Sequence, residues 1–213
     1  MALSLVTAPT GSEPISLEEA RLQLRNPPID EDALIQGILI PAALERAEGA
    51  TNRQLLTATW DLRLEGFPCG AGVAGAAGAI VWPIVVPKPP LVSVTSITYV
   101  DTAGDTQTWA STKYQVSAPS GPKAAHGRIA PAYGETYPVT RGQMDAVTVR
   151  FVAGYGTASS ALPARLRRAM LADISGLYAH REGFIVGTII NELPMDGAIA
   201  SVYRAYKAWP VMR

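Results

Sequence analysis

The chain has 213 residues, 48% hydrophobic and 17% charged, and its 18 Lys and Arg balance 18 Asp and Glu for a net charge of +0. This length supports a core in one or two domains, and the charge balance excludes a global pull toward nucleic acid or anionic membrane. A single cysteine, Cys69, excludes an internal disulfide framework and a Cys-based zinc cluster, and no apolar run approaches the roughly 20 residues needed to span a bilayer.

The 19 Gly and 17 Pro imply many turns. A poorly charged surface is one that a partner-covered subunit tolerates. No basic segment followed by an apolar one opens the chain, so synthesis in the cytoplasm is expected.

Residues 1–14, broken by Pro9, Gly11 and Pro14, read as a lead-in. Ser16 and Glu19 form a capping box for a first helix, which Asn26-Pro27-Pro28 ends. Asp30 is expected to cap a second helix, with Leu34, Ile35, Ile38, Leu39, Ala42 and Ala43 on its apolar face. Pro41 lies inside this pattern. It removes the bond to the Gly37 carbonyl and predicts a kink there.

From Gln54 the period changes to two, with Ala58, Trp60, Leu62 and Leu64 alternating with Thr59, Asp61 and Arg63. Gly70–Ala79 is a low-complexity loop. Ile80–Val86 is strand-like, and Pro83 places it at an edge or bulge. Val92–Val100 is another strand. Asp101–Asp105 reads as a hairpin turn that returns through Thr106 to Trp109. Tyr114–Val116 and Gly127–Ile129 are shorter strands.

Val147–Val152 has the alternation of a half-buried strand and ends at Gly154 and Gly156. After Pro163 the spacing becomes helical, through Leu166, Met170, Ile174, Leu177 and Tyr178. Gly183–Asn191 is ambiguous between strand and a loop ordered on binding. Glu192–Trp209 is helical, and Trp209 to Arg213 is an apolar tail.

The fold class is therefore α+β: a helical bundle formed by both chain ends, residues 1–54 plus 158–213, with a small antiparallel β domain inserted at 55–157. Sandwich and barrel both remain open for that β domain.

The chemical signals are sparse. Gly70-Ala71-Gly72-Val73-Ala74-Gly75 matches G-x-G-x-x-G, but no helical spacing follows it and no acidic residue appears until Asp101, against a dinucleotide site. His126 and His180 lack metal-ligand spacing, and no Gly-x-Ser-x-Gly elbow is present. No catalytic residue, metal or cofactor is expected. Arg165, Arg167 and Arg168 cluster near the start of a helix, where the dipole disfavours cations. They form either a solvated face or a surface for acidic groups or phosphates. Tyr203, Tyr206 and Trp209 are either core or anchors in a partner's groove.

Several segments together carry a resemblance. They are Ser16-Leu17-Glu18-Glu19-Ala20-Arg21, Asp30-Glu31-Asp32-Ala33-Leu34-Ile35, Leu56-Thr57-Ala58-Thr59-Trp60-Asp61-Leu62, Pro89-Pro90-Leu91-Val92-Ser93-Val94, Arg150-Phe151-Val152-Ala153-Gly154-Tyr155-Gly156 and Leu193-Pro194. In this order they resemble the head–tail connector (adaptor, or head-completion) proteins of tailed bacteriophages and gene transfer agents. Pro41 and the Gly70–Ala79 loop depart from that pattern.

The resemblance implies a non-enzymatic virion protein at the head–tail junction. It would be one subunit of a homo-oligomeric, commonly dodecameric ring beneath the portal protein. The ring would extend the DNA channel, with non-specific contact to DNA, and dock a tail or stopper protein without any membrane. Two alternatives stand beside it: a small enzyme or ligand-binding module with its site in the β domain, and a tail-terminator or other tail component.

Overall fold

A computed structural model describes residues 1–9, 13–68, 74, 81–179 and 194–209. The chain forms two compact units, one containing Met1–Pro9 and Thr57–Gly154, the other Thr10–Leu56 and Tyr155–Trp209. The architecture is α+β, with four helices and two antiparallel sheets and no closed barrel among the described residues.

Among the described residues the β unit holds eight strands: β1 (Ala2–Thr7), β2 (Ala58–Leu64), β3 (Ile84–Val86), β4 (Leu91–Val100), β5 (Thr106–Thr108), β6 (Tyr114–Ser117), β7 (Gly127–Pro131) and β8 (Val147–Ala153). One sheet has the order β1-β2-β8-β4-β5 and the other β3-β7-β6. In the larger sheet Leu62 pairs with Val149 and Trp60 with Phe151, which sets one face inward. Leu62, Val147, Val149 and Phe151 are fully buried with Ile84, Val86 and Ile129 of the smaller sheet in one core. Phe67, Trp109, Tyr114 and Tyr137 extend it, with Phe67 5.3 Å from Trp109 and 5.1 Å from Tyr137.

Gly127 lies where β7 approaches β4. A Cβ there would stand 2.3 Å from Leu91 Cδ2 and 2.7 Å from Leu91 Cβ, so the backbone approach requires glycine.

Residues 1–14 are not a simple lead-in. Ala2–Thr7 forms an edge strand on β2, with Leu3 opposite Leu62 and a register shift between Leu5 and Thr7. The signal was the alternation Leu3-Ser4-Leu5, which the nearby Pro9 and Gly11 obscured. The strand expected over Ile80–Val86 starts at Ile84, immediately after Pro83.

The helical unit contains α1 (Leu17–Gln23), α2 (residues 32–51), α3 (Ala164–Ala179) and α4 (Pro194–Tyr206). The Ser16–Glu19 capping box is present on α1. Asp30 does not cap α2. Ile29–Glu31 is instead a 3₁₀ turn leading into it, with no side-chain cap bond.

α2 absorbs Pro41 through a π turn at Ile35–Leu39, between Asp32–Leu34 and Ile40–Thr51. The Ile40 N–H reaches the Ile35 carbonyl, so the ladder slips one residue just ahead of the proline that could not have bonded Gly37. Ile35, Ile40, Ala43, Ala47, Leu55, Leu166, Met170 and Ile174 make the core of this unit, with Ile199, Tyr203 and Tyr206 from α4. Gly156 is another position fixed by space: at φ +157, a Cβ there would meet Ala161 Cβ at 2.6 Å.

Candidate interaction surface

The basic cluster at the start of α3 separates into two kinds of residue. Arg167 is half-buried, and its guanidinium pairs with Glu19 Oε1. Glu19 Oε2 accepts the Ser16 N–H at 3.2 Å, so one carboxylate closes the α1 cap and ties α1 to α3. Arg165 and Arg168 are exposed, and among the described residues neither has an ion pair. Their charges are the part of the cluster available to an outside partner.

The aromatic group separates in the same way. Tyr203 is 3% exposed and donates its hydroxyl to Asp173 Oδ2 at 2.5 Å. Asp173 is buried on α3, and its Oδ1 lies 2.9 Å from Arg46 Nη1 of α2. One carboxylate thus joins three helices. Burial pushes the Tyr203 phenol above its ordinary value, and the hydrogen bond to the neighbouring carboxylate adds to the rise. Tyr206 is buried as well, and its carbonyl accepts Arg53 Nε at 2.5 Å. Trp209 is 76% exposed, with the Lys207 ammonium 5.8 Å from its ring centroid.

The sequence reading missed the groups that secure α4. Asn52 ends α2 in the left-handed region, and Arg53 after it is buried with its Nε on the Tyr206 carbonyl at the end of α4. Asn52 Nδ2 donates to the Ala208 carbonyl at 3.2 Å, and the Ala208 N–H donates to the Thr51 carbonyl at 2.7 Å. Asp173 carried a signal: it is a carboxylate on the same stripe as Met170 and Ile174.

In the β unit, Asp61 accepts two bonds from Arg150, Nε to Oδ1 and Nη2 to Oδ2, each 2.8 Å. The register puts these residues opposite each other on β2 and β8. The Arg150 hydrogen bonds hold the Asp61 carboxyl below its usual range. Ser4 lies beside Asp61 and Ser96 beside Arg150, so a polar row crosses four strands.

Two surface grooves flank β3 and β7 and share Pro83 and Arg128. Neither set of lining residues pairs a nucleophile with a base. His126 Nδ1 lies 3.2 Å from the Val86 carbonyl. Among the described residues no three His, Cys, Asp or Glu come together as metal ligands, and no helix is long and apolar enough to cross a membrane. Cys69, His180 and most of the Gly70–Ala79 loop lie outside the described residues. Ala74 exchanges bonds with Gly134 and Glu135 at 2.7 and 3.0 Å.

No family model matches the chain, and no curated protein matches it in sequence. Solved structures do share its fold. A chain of the virion of a native gene transfer agent particle has a TM-score of 0.72 and 24% identity, covering 100% of this chain and 98% of that chain. A chain from the neck of an empty particle, computed with C6 symmetry, gives 0.72 and 24% over the same shares. One from the neck of a native particle with C12 symmetry gives 0.67 and 22%, again covering 100% and 98%. The likeness is one of fold and runs the full length of the chain.

Proposed function

We propose that this chain is a structural virion protein of the head–tail junction, an adaptor that forms a ring below the portal. The ring extends the DNA channel and presents a surface to which the tail or a stopper docks. The observation that carries this reading is the full-length fold likeness to chains of gene transfer agent particles and their necks. The C6 and C12 symmetry of those necks supports a cyclic assembly, with twelve copies as the natural number. The ordered sequence resemblance points the same way.

In this reading Arg165, Arg168 and Trp209 carry the contacts with portal, neighbouring copy or channel DNA. Arg167, Tyr203 and Tyr206 hold the helices that present them. A solvated arginine pair and an exposed tryptophan gain most from a partner that supplies acidic or phosphate groups and an apolar pocket.

The test is the mass of the full chain in solution, alone and mixed with the portal assembly of the same particle. A ring-sized complex formed with portal is the expected result. A Trp209→Ala, Arg165→Ala, Arg168→Ala variant should stay folded and lose most of that complex. A chain that ignores portal at high concentration would overturn the reading.

A further inference from the structure

α4 turns Ile199, Tyr203 and Tyr206 into the core. At about 100° per residue, its opposite stripe is Gly197, Ser201 and Arg204. All three are exposed and are flanked by exposed Ala200 and Ala205. The result is a shallow trough of small side chains with one cation at its C-terminal end.

α2 has the complementary relief. Its outward stripe contains Ile38, which is 58% exposed, followed by exposed Pro41, Glu45 and Gly49. Among the described residues neither Glu45 nor Arg204 has an ion pair. Glu45 follows Ile38 by seven positions and Arg204 follows Gly197 by seven. The Gly197–Arg204 interval is two α-helical turns, about 10 Å, and the Ile38–Glu45 interval, which leaves the π turn after Leu39 and continues as regular α-helix, has a similar length. With two such helices laid parallel, Ile38 stands over Gly197 while Glu45 meets Arg204. An apolar knob falls on the residue without a side chain, and opposite charges fall together.

The two surfaces do not meet within one chain. α2, α3 and α4 each pack on the other two, so the outward faces of α2 and α4 diverge around a three-helix cluster. A second copy of this chain is the occupant that has both surfaces. We propose that the outer face of α4 in one copy seats on the outer face of α2 in the next, with Ile38 over Gly197 and Glu45 paired with Arg204. The contact joins two different patches, so it is head-to-tail and propagates around an axis. Its closure into a ring rests on the adaptor reading above. A single helix pair buries well under the roughly 1,200 Å² of a stable interface. The isolated contact is therefore transient, and the assembly depends on its repetition.

Disulfide trapping of the full-length chain tests this. In a Cys69→Ala background, Pro41→Cys and Ala200→Cys together place thiols at matched positions and leave Ile38, Gly197, Glu45 and Arg204 intact. Mild oxidation at high concentration should give a ladder of covalent oligomers beyond dimer, while each single-cysteine variant stops at dimer. Glu45→Arg or Arg204→Glu should each lower the ladder yield about threefold, and combining them should restore it. Circular dichroism confirms that every variant is folded. A ladder no longer than the single-cysteine controls, or charge reversals with no effect and no mutual rescue, overturns the proposal. If wild-type rings form on portal without this ladder, the contact fails and the adaptor reading stands. If the ladder forms but no ring ever binds portal, the contact stands and the adaptor reading fails.

Discussion

Replacing Tyr203 with phenylalanine removes a single oxygen from the core of the helical unit and leaves the ring in place. That oxygen lies 2.5 Å from Asp173 Oδ2, and the tyrosine is 3% exposed, so water does not substitute for it. A hydrogen bond to a charged acceptor contributes roughly 1.5–3 kcal/mol. Arg46 remains on the other carboxylate oxygen at 2.9 Å and softens the loss, which places the expected destabilisation at about 2 kcal/mol.

Asp173→Asn keeps the shape and still accepts the phenolic proton, but it removes the negative charge 2.9 Å from Arg46. Because Arg46 is half-exposed and regains water, this change should cost less, about 1 kcal/mol. The double variant should lose less than the sum, with a coupling of about 1 kcal/mol. Urea unfolding at neutral pH, followed by far-ultraviolet circular dichroism, gives these differences from the transition midpoints. A Tyr203→Phe protein within about 0.5 kcal/mol of wild type, or strictly additive losses, would refute the claim that this carboxylate ties the three helices.

Three further outcomes are expected. The Asp61 carboxyl is depressed in the folded state by Arg150, so its contribution is present above the unfolded value of about 3.9 and is lost as pH falls through the lower folded value. Arg150→Gln should therefore flatten the acid limb of the stability curve below about pH 4, and an unchanged limb in an acid titration would count against the pairing. Gly127→Ala should destabilise the β unit by roughly 1–3 kcal/mol in thermal or urea unfolding, because the added carbon meets the Leu91 Cβ as well as its flexible end; wild-type stability would contradict the close approach. Arg167→Ala should lower stability by about 1 kcal/mol, whereas Arg165→Ala and Arg168→Ala should stay within about 0.5 kcal/mol; equal effects from all three would dissolve the distinction drawn between them.

Local chemistry was legible where one short stretch contained all of it. Ser16 and Glu19 announce a cap that forms as read, and Val147–Val152 alternates as β8 does. The turn at Asp101 also forms, its Oδ1 accepting the N–H groups of Ala103, Gly104 and Asp105 at 2.9–3.0 Å.

What was hidden depends on partners far along the chain. The placement of β8 between β2 and β4 follows from register, which no single strand specifies. The Asp61–Arg150 pair is hidden for the same reason. In the basic cluster, Arg167 differs from its neighbours only because Glu19, 148 positions earlier, reaches it. The slip of α2 into a π turn needed the core to hold Ile35 and Ile40 inward on either side of the irregularity. The exposed pair Arg165 and Arg168 could be nominated from sequence, but only the structure separates them from Arg167.

The edge position of β1 bears on how the chain folds as it leaves the ribosome. β1 precedes the other described elements in the chain, yet its partner β2 begins at Ala58, and the strand beyond that, β8, ends at Ala153. The whole first portion of the helical unit, including α1 and α2, emerges in between. That unit in turn lacks α4 until Tyr206 has been added. A nascent chain stopped after Gly154 would carry every described strand of the β unit but only α1 and α2 of the described helices. In chain order the described strands thus all precede α3 and α4, and the polar groups at Asp173 and Arg53 meet their α4 partners only after those strands have been made.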